Sequence, residues 1–128
     1  MPEPTCLIDT SAWIEYFRKA GDAETREAVA EALRSRRAAW CELIFLELMR
    51  GNARQREQAA LIAKTFPCLP VDEACWQEAY RVAGRAAEAG KPVPNTDILI
   101  HACARRHGVT ILHRDKHFDV LADLSRLG

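Results

Sequence analysis

The sequence lacks a net charge and lacks any long apolar run. Its 18 lysines and arginines balance 18 aspartates and glutamates among 128 residues. Domains that hold nucleic acid mainly by bulk attraction are usually strongly basic, so that class is not expected, although a local basic patch is compatible with the sequence. No stretch approaches the roughly 18 consecutive apolar residues of a membrane helix, and residues 1–4 lack the basic segment of a secretion signal. We therefore expect a cytoplasmic protein.

Cysteine is present but lacks the paired spacing of a disulfide framework or a zinc motif. The five cysteines are odd in number, irregularly spaced and mostly flanked by apolar neighbours: Cys6, Cys41, Cys68, Cys75 and Cys103. We expect them to be reduced, buried small side chains. A zinc site of His101, Cys103 and His107 is not expected, because positions 101 and 103 point to different sides of a helix. The same geometry argues against Cys103 and His101 as a nucleophile pair.

The elements alternate between strand and helix patterns. Short apolar runs predict strands at residues 5–8, 38–41 and 109–112, with helical patterns between them at residues 22–37, 43–50, 52–64 and 72–90. Two further helices are predicted, one after Asp9 with Trp13 and Phe17 in the core, and one from Asn95 or Thr96 to His107. Such alternation requires crossover connections. We expect an α/β fold with a central, mostly parallel sheet covered by helices on both faces, in a single domain over residues 1–128.

Three local predictions concern how these elements end. Gly51 is a candidate C-cap for the helix over 43–50, and Asn95 or Thr96 is a candidate N-cap for the last predicted helix. Residues 66–71 contain two prolines, which restrict this segment to an edge strand or an irregular connection.

Four acidic residues lie beside apolar segments destined for the core. Asp9 ends the first apolar run, Glu47 interrupts the apolar residues 43–49, Asp97 opens the run 98–100, and Asp115 follows Leu112 by three residues. A buried carboxylate without a partner is costly. Because the carboxyl ends of parallel strands and the first turns of the following helices converge on one crevice, we expect these acids to meet there.

Acids that meet in this way need a cation. Two like charges about 4 Å apart cost roughly 4 kcal/mol at an effective dielectric near 20. Oxygen ligands without an accompanying Cys or His cluster select Mg²⁺ or Mn²⁺ over zinc. Metal-assisted phosphodiester hydrolysis is the chemistry that follows.

Each acid also has a simpler interpretation. Asp9 and Asp97 would serve as helix caps or first-turn acids, Asp115 as a turn residue, and Glu47 as the partner of Arg50 in a salt bridge. The coincidence of all four favours a site.

These residues resemble the motifs of the PIN-domain ribonuclease family. Residues 7–13 (LIDTSAW) resemble the opening of PIN domains, 47–51 (ELMRG) their second acidic motif, 95–102 (NTDILIHA) the third and 113–118 (HRDKHF) the fourth. Order, spacing and length are similar to those of VapC-type toxins of type II toxin–antitoxin systems. The resemblance implies a three-layer α/β/α fold.

The resemblance also implies function. Asp9, Glu47, Asp97 and Asp115 would be catalytic, with Asp9, Asp97 and Asp115 holding Mg²⁺ (or Mn²⁺) and Thr10 or Ser11 supplying a hydroxyl nearby. His113 stands where the family often has Thr or Ser, and Asp119 is a second acid that would replace or assist Asp115. The implied protein is an endoribonuclease toxin and homodimer that is inhibited by an antitoxin protein and meets DNA only through the antitoxin complex.

Basic residues offer candidate RNA contacts. Arg50 and Arg54 follow the helix of Glu47, and Arg114 and Lys116 adjoin the fourth acid. Two alternative functions remain open from the sequence: a catalytically silent PIN-like module that binds RNA or metal, and a scaffold subunit of a DNA-binding toxin–antitoxin complex.

Overall fold

The computed structural model describes residues 3–126 and contains three strands and seven helices in this range. In chain order they are β1 (Cys6–Ile8), α1 (Thr10–Phe17), α2 (Ala23–Arg34), β2 (Ala38–Ala39), α3 (Glu42–Leu48), α4 (Ala53–Thr65), α5 (Glu73–Glu88), α6 (Asn95–Arg106), β3 (Thr110–Leu112) and α7 (His117–Ser125).

The sheet is short and entirely parallel. Its strand order is β2-β1-β3, so the first strand is central. Leu7 pairs with Ala39 on one side and with Ile111 on the other, and Ile8 pairs with Leu112. Helices flank the sheet, and the predicted α/β fold with a central parallel sheet is confirmed.

Side-chain caps start four of the helices. The carboxylates of Asp9, Asp22 and Asp72 and the amide of Asn52 each accept a backbone N–H of the first turn of α1, α2, α5 and α4, respectively. Such caps satisfy amide groups that have no partner within the helix. Asp9 therefore does serve as a cap, although this role occupies only one of its two carboxylate oxygens.

Several local predictions about element ends were wrong. Gly51 is not the cap of α3, which already ends at Leu48 with Met49 as its C-cap. Helix α6 begins at Asn95 itself, and its N-cap, Pro94, makes no side-chain cap bond. By contrast, residues 66–71 are an irregular connection, as predicted: the segment forms an isolated bridge between Trp40 and Cys68, and its prolines cannot donate to a ladder. Helix α7 was not predicted at all.

The core lies between the sheet and the surrounding helices. Trp13 is 1% exposed and stacks on Phe17 with ring centroids 5.6 Å apart, as expected for core packing. Cys41, Cys75 and Cys103 are buried, whereas Cys6 and Cys68 are partly exposed. Within residues 3–126, no helix is long and apolar enough to cross a membrane.

Candidate active site

The carboxyl ends of β1 and β3 lie side by side and bring two acidic segments together. Asp9 directly follows β1, and its N–H donates to the carbonyl of Leu112, the last residue of β3 (3.0 Å). The chain then leaves β3 toward Asp115 and α7. Parallel pairing thus places both segments at one edge of the sheet, as the strand pattern predicted.

Asp9 is held by the residues that follow it. Its carboxylate is only 4% exposed, and Oδ2 accepts both the N–H (2.9 Å) and the hydroxyl (2.6 Å) of Ser11. The Oγ of Ser11 in turn accepts the backbone N–H of Arg114 (2.9 Å). Ser11 therefore connects the end of β1 to the loop after β3 and fixes the orientation of the Asp9 carboxylate.

Glu47 enters from α3, the helix that follows β2. Its Oε1 accepts the hydroxyl of Thr10 at 2.8 Å, across 37 residues of sequence. Burial raises the pKa of Glu47; the Thr10 bond lowers it, and the charge of Asp9 raises it again. Arg50, the simpler alternative partner, is exposed and lowers that pKa less than Thr10 does.

Asp97 and Asp115 meet around an imidazole. Nδ1 of His117 lies 3.0 Å from Oδ1 of Asp115 and 3.2 Å from Oδ2 of Asp97. Ligand atoms of these three residues lie within 4.8 Å of one another. The backbone N–H of His117 also donates to Oδ1 of Asp115 (2.9 Å), so the start of α7 positions this carboxylate.

The charges of the other three acids all act on Asp97. Burial raises the pKa of Asp97 to about 6, and the charges of Asp115, Asp9 and Glu47 add to this effect, whereas His117 opposes it. The pKa of Glu47 responds to Asp9 and Asp115 in the same sense. The charges of Asp9 and Asp115 thus make Glu47 and Asp97 harder to ionise.

The residues present fit a divalent cation. The donors are oxygens of four clustered carboxylates, which is the ligand type of hard cations. Within residues 3–126, the buried Nδ1 of His117 is the single buried side-chain nitrogen or oxygen that has no well-aligned hydrogen bond, although two carboxylates lie beside it. The unfavourable ionisation of Asp97 and this buried nitrogen both indicate a site that a cation would complete.

The structure distinguishes the two acids that compete for the fourth position. Asp115 lies in the carboxylate cluster, whereas the side chain of Asp119 is 77% exposed and lies 3.9 Å from Nε2 of His113. Asp119 points away because it lies on α7, past the turn that aims Asp115 inward.

Sequence reasoning missed His117 as a site residue. The signal was present, since His117 lies two residues after Asp115 inside the fourth motif. Because α7 was not predicted, no local pattern placed the imidazole of His117 beside Asp115 and Asp97.

The candidate RNA-binding side chains occupy different surroundings. Arg50 and Lys116 are exposed. Arg114 lies 3.5 Å from the carboxylate of Asp22, which partly neutralises the charge of the guanidinium. Arg54 lines a groove of about 750 Å³ between α1, α2 and α4, and none of the four acids lines this groove.

The family model of the PIN domain matches residues 6–124 of this chain. The chain belongs to the PIN domain family. Ribonuclease VapC11 of Mycobacterium tuberculosis is 40% identical over 130 residues, which cover 94% of each chain. This match confirms the predicted kinship with VapC ribonucleases and the predicted enzyme class, a nuclease.

Solved structures share the PIN fold. FitAcB from Neisseria gonorrhoeae superposes with a TM-score of 0.76 at 21% identity and covers 93% of this chain and 94% of its own. VapBC-5 of Mycobacterium tuberculosis, a member of the VapBC family of toxin–antitoxin systems, gives 0.65 at 23% identity and covers 92% and 91%.

Proposed function

We propose that this PIN domain is the toxin of a type II toxin–antitoxin pair and hydrolyses RNA phosphodiester bonds with Mg²⁺. The observation that carries the proposal is the convergence of the Asp9, Glu47, Asp97 and Asp115 carboxylates from four separate segments onto one edge of the sheet. The 40% identity to a VapC ribonuclease supports RNA as the substrate.

In this proposal Asp9, Asp97 and Asp115 hold the ion, with Mn²⁺ as a substitute. Oxygen donors favour these hard cations, and the bound ion would lower the pKa of a water and offset charge on the phosphate. Ser11 fixes Asp9, and the start of α7 fixes Asp115, so the ligands are positioned before the ion arrives.

Glu47 has a different environment and a different proposed role. Its pKa is raised by burial, and its Oε1 is already occupied by Thr10. The other oxygen would accept a proton from water during hydrolysis. Thr10 is therefore a positioning residue for Glu47.

The proposed partners follow from the relatives and the surface. An antitoxin protein is supported by the toxin–antitoxin family of VapBC-5, and contact with DNA would come only through that complex. Arg50, Arg54, Arg114 and Lys116 remain the proposed RNA contacts. An RNA substrate and five unpaired thiols fit action in the cytoplasm.

A homodimer is also proposed, and α5 supports it. Trp76 and Tyr80 are 45% and 61% exposed and line a groove of about 450 Å³ with Leu43 and Ile98. This groove has no charged lining residue, so it suits an apolar protein surface better than RNA. Since Asn95 and Thr96 line it too, a second copy would border the turn that carries Asp97.

Asp97→Asn tests the proposal. The substitution removes a charged ligand with little change of shape, and we expect RNA cleavage in Mg²⁺ to fall about 100-fold or more. The same variant should show a smaller rise in melting temperature on adding millimolar Mg²⁺, because cation binding to the folded state is what stabilises it. Cleavage is measured on total RNA with and without chelator, and melting by differential scanning fluorimetry.

Asp123→Asn is the matched control, because this carboxylate is 75% exposed and pairs with Arg126. It should retain both cleavage and the Mg²⁺ response. Binding of Mg²⁺ and RNA without any product from the wild type would favour a silent binding module. Unchanged cleavage by Asp97→Asn would contradict the proposed enzyme. So would a complex with the antitoxin that binds operator DNA while the chain itself cleaves no RNA.

A further inference from the structure

A second group of metal-ligating side chains lies away from the carboxylates. Ligand atoms of Cys75, Cys103 and His107 lie within 4.8 Å of one another. Cys75 and Cys103 are fully buried, and His107 is partly exposed at the surface. The group therefore has an open side at the imidazole and a closed, apolar side at the two sulfurs.

Two helices and one connection build this group. Cys75 lies in the first turn of α5, where its N–H donates to the cap carboxylate of Asp72 (3.1 Å). Cys103 and His107 lie four residues apart at the end of α6, so they share one face of that helix. Sequence spacing showed only this second pair, because Cys75 joins it through the packing of α5 on α6.

The simpler interpretation is that the three side chains merely bind the chain next to them. The carbonyl oxygen of Pro70 lies 2.8 Å from Nε2 of His107, 3.7 Å from the Cys75 sulfur and 3.9 Å from the Cys103 sulfur. The imidazole bond is good, but thiols are weak donors and one carbonyl cannot satisfy three groups well. After deprotonation, three such groups that converge on one point also form an arrangement that can bind a cation.

The distances suit a tetrahedral ion. With zinc–sulfur bonds of about 2.3 Å, two sulfurs of such a site lie about 3.8 Å apart. The present separations, all within 4.8 Å, need to shrink by at most about 1 Å.

We propose that Cys75, Cys103 and His107 bind one thiophilic divalent cation, with Zn²⁺ as the representative ion. Binding releases the protons of the two thiols to solvent. The imidazole gives up the Nε2–H bond to Pro70, its proton moves to Nδ1 through solvent, and the freed Nε2 lone pair binds the metal. A water or the nearby carboxylate of Asp72 completes the coordination. Soft sulfur ligands distinguish this ion from the hard cation of the carboxylate site.

The consequence is a helix with a metal at each end. Asp97 lies in the first turn of α6 and Cys103 and His107 at its end, about 9 to 15 Å further along at 1.5 Å per residue. The second ion would join α6 to α5 and stabilise the folded state. It would not touch the proposed substrate.

Cobalt(II) titration of the full, reduced chain under anaerobic conditions tests this site. We expect a saturating thiolate-to-cobalt charge-transfer band at one equivalent, together with the intense d–d bands of a tetrahedral site, both abolished by adding Zn²⁺. Because the carboxylate site contains no sulfur, the charge-transfer band reports on the thiol site alone. Zn²⁺ should also raise the melting temperature of Asp97→Asn as much as that of the wild type.

Matched variants make the test specific. Cys103→Ser and His107→Gln should lose or strongly weaken the bands, and Cys6→Ser, outside the group, should retain them; His107→Gln changes a partly exposed residue, so folding is not at risk. Absence of the charge-transfer band in the wild type, equal bands in His107→Gln and Cys6→Ser, or a Cys75–Cys103 disulfide in place of metal binding would overturn the proposal.

Discussion

At the residue scale, short-range hydrogen bonds decide which atoms of the acids are available. Ser11 binds one oxygen of Asp9 twice, and Thr10 binds one oxygen of Glu47. The sequence indicated that a hydroxyl of Thr10 or Ser11 would lie near the acids. It did not indicate that the two hydroxyls would bind two different carboxylates. Neighbouring residues on a helix point in different directions, so the first turn of α1 positions two carboxylates at once.

Thr10→Val should lower RNA cleavage about 10- to 100-fold, because it removes a hydrogen bond to a charged group at constant volume, worth roughly 1.5–3 kcal/mol. Thr10→Ser keeps a hydroxyl and should restore most of the activity. The comparison is made by cleavage rates at saturating Mg²⁺, with folding checked by circular dichroism. Equal rates for the Val and Ser variants would show that Thr10 does not position Glu47.

At the element scale, α6 is the helix on which the proposed chemistry depends. All eight residues from Asp97 to Ala104 are buried, including one histidine. A helix that is buried on every side has no solvated face for polar groups, so each must find a partner. His101 finds Ser125 of α7, whose hydroxyl lies 2.7 Å from Nε2.

The burial of His101 makes stability depend on pH. Burial, aided by Arg105, lowers the pKa of His101 to about 4, whereas the unfolded chain takes up this proton near pH 6.5. The contribution of neutral His101 to the free energy of unfolding is complete above pH 6.5. It is lost as the pH falls toward 4, because the unfolded state then binds more protons than the folded state. At pH 5 the free energy of unfolding should be about 2 kcal/mol lower than at pH 8 from this group alone.

His101→Gln isolates this effect. The difference in free energy of unfolding between pH 8 and pH 5, measured by urea denaturation, should be smaller in this variant than in the wild type. Ser125→Ala is the control, because it removes the partner but keeps the imidazole, and it should lower stability at both pH values while retaining the pH dependence. An unchanged pH dependence in His101→Gln would contradict a lowered pKa.

At the scale of the whole molecule, the exposed apolar side chains are divided between faces. Trp76 and Tyr80 of α5 lie with ring centroids 6.1 Å apart beside the uncharged groove, whereas Leu61 of α4, 66% exposed, lines the groove with Arg54. The first groove has no charged lining residue, whereas the second has basic ones. Only the first is suited to a copy of itself.

Tyr80→Glu should shift the chain from dimer to monomer, since a charge in an apolar interface costs its desolvation. Light scattering after size exclusion at several concentrations measures the change. Leu61→Glu, an equally exposed leucine on another helix, should leave the dimer intact. A wild type that is monomeric at every concentration, or a dimer that dissociates with Leu61→Glu instead, would refute this interface.

Much of the fold could be predicted because the responsible forces are local. The strands at residues 5–8 and 109–112 and the caps at Asp9 and Asp72 follow from apolar runs and side-chain-to-backbone bonds between near neighbours. Helix α7 was missed because the polar residues His117, Asp119 and Asp123 interrupt the buried apolar residues Phe118, Leu121 and Leu124. The start of α6 was placed correctly within a residue, but its cap was not, since proline precedes it.

The sequence alone indicated the α/β alternation, the PIN family and the four candidate acids, because each rests on short motifs and on their order along the chain. The tertiary structure decided that Asp115 rather than Asp119 faces the cluster, that His117 lies between two carboxylates, and that Cys75 meets Cys103 and His107. These outcomes depend on how helices pack and turn relative to one another. Packing is set by contacts between residues far apart in sequence, and no local pattern carries that information.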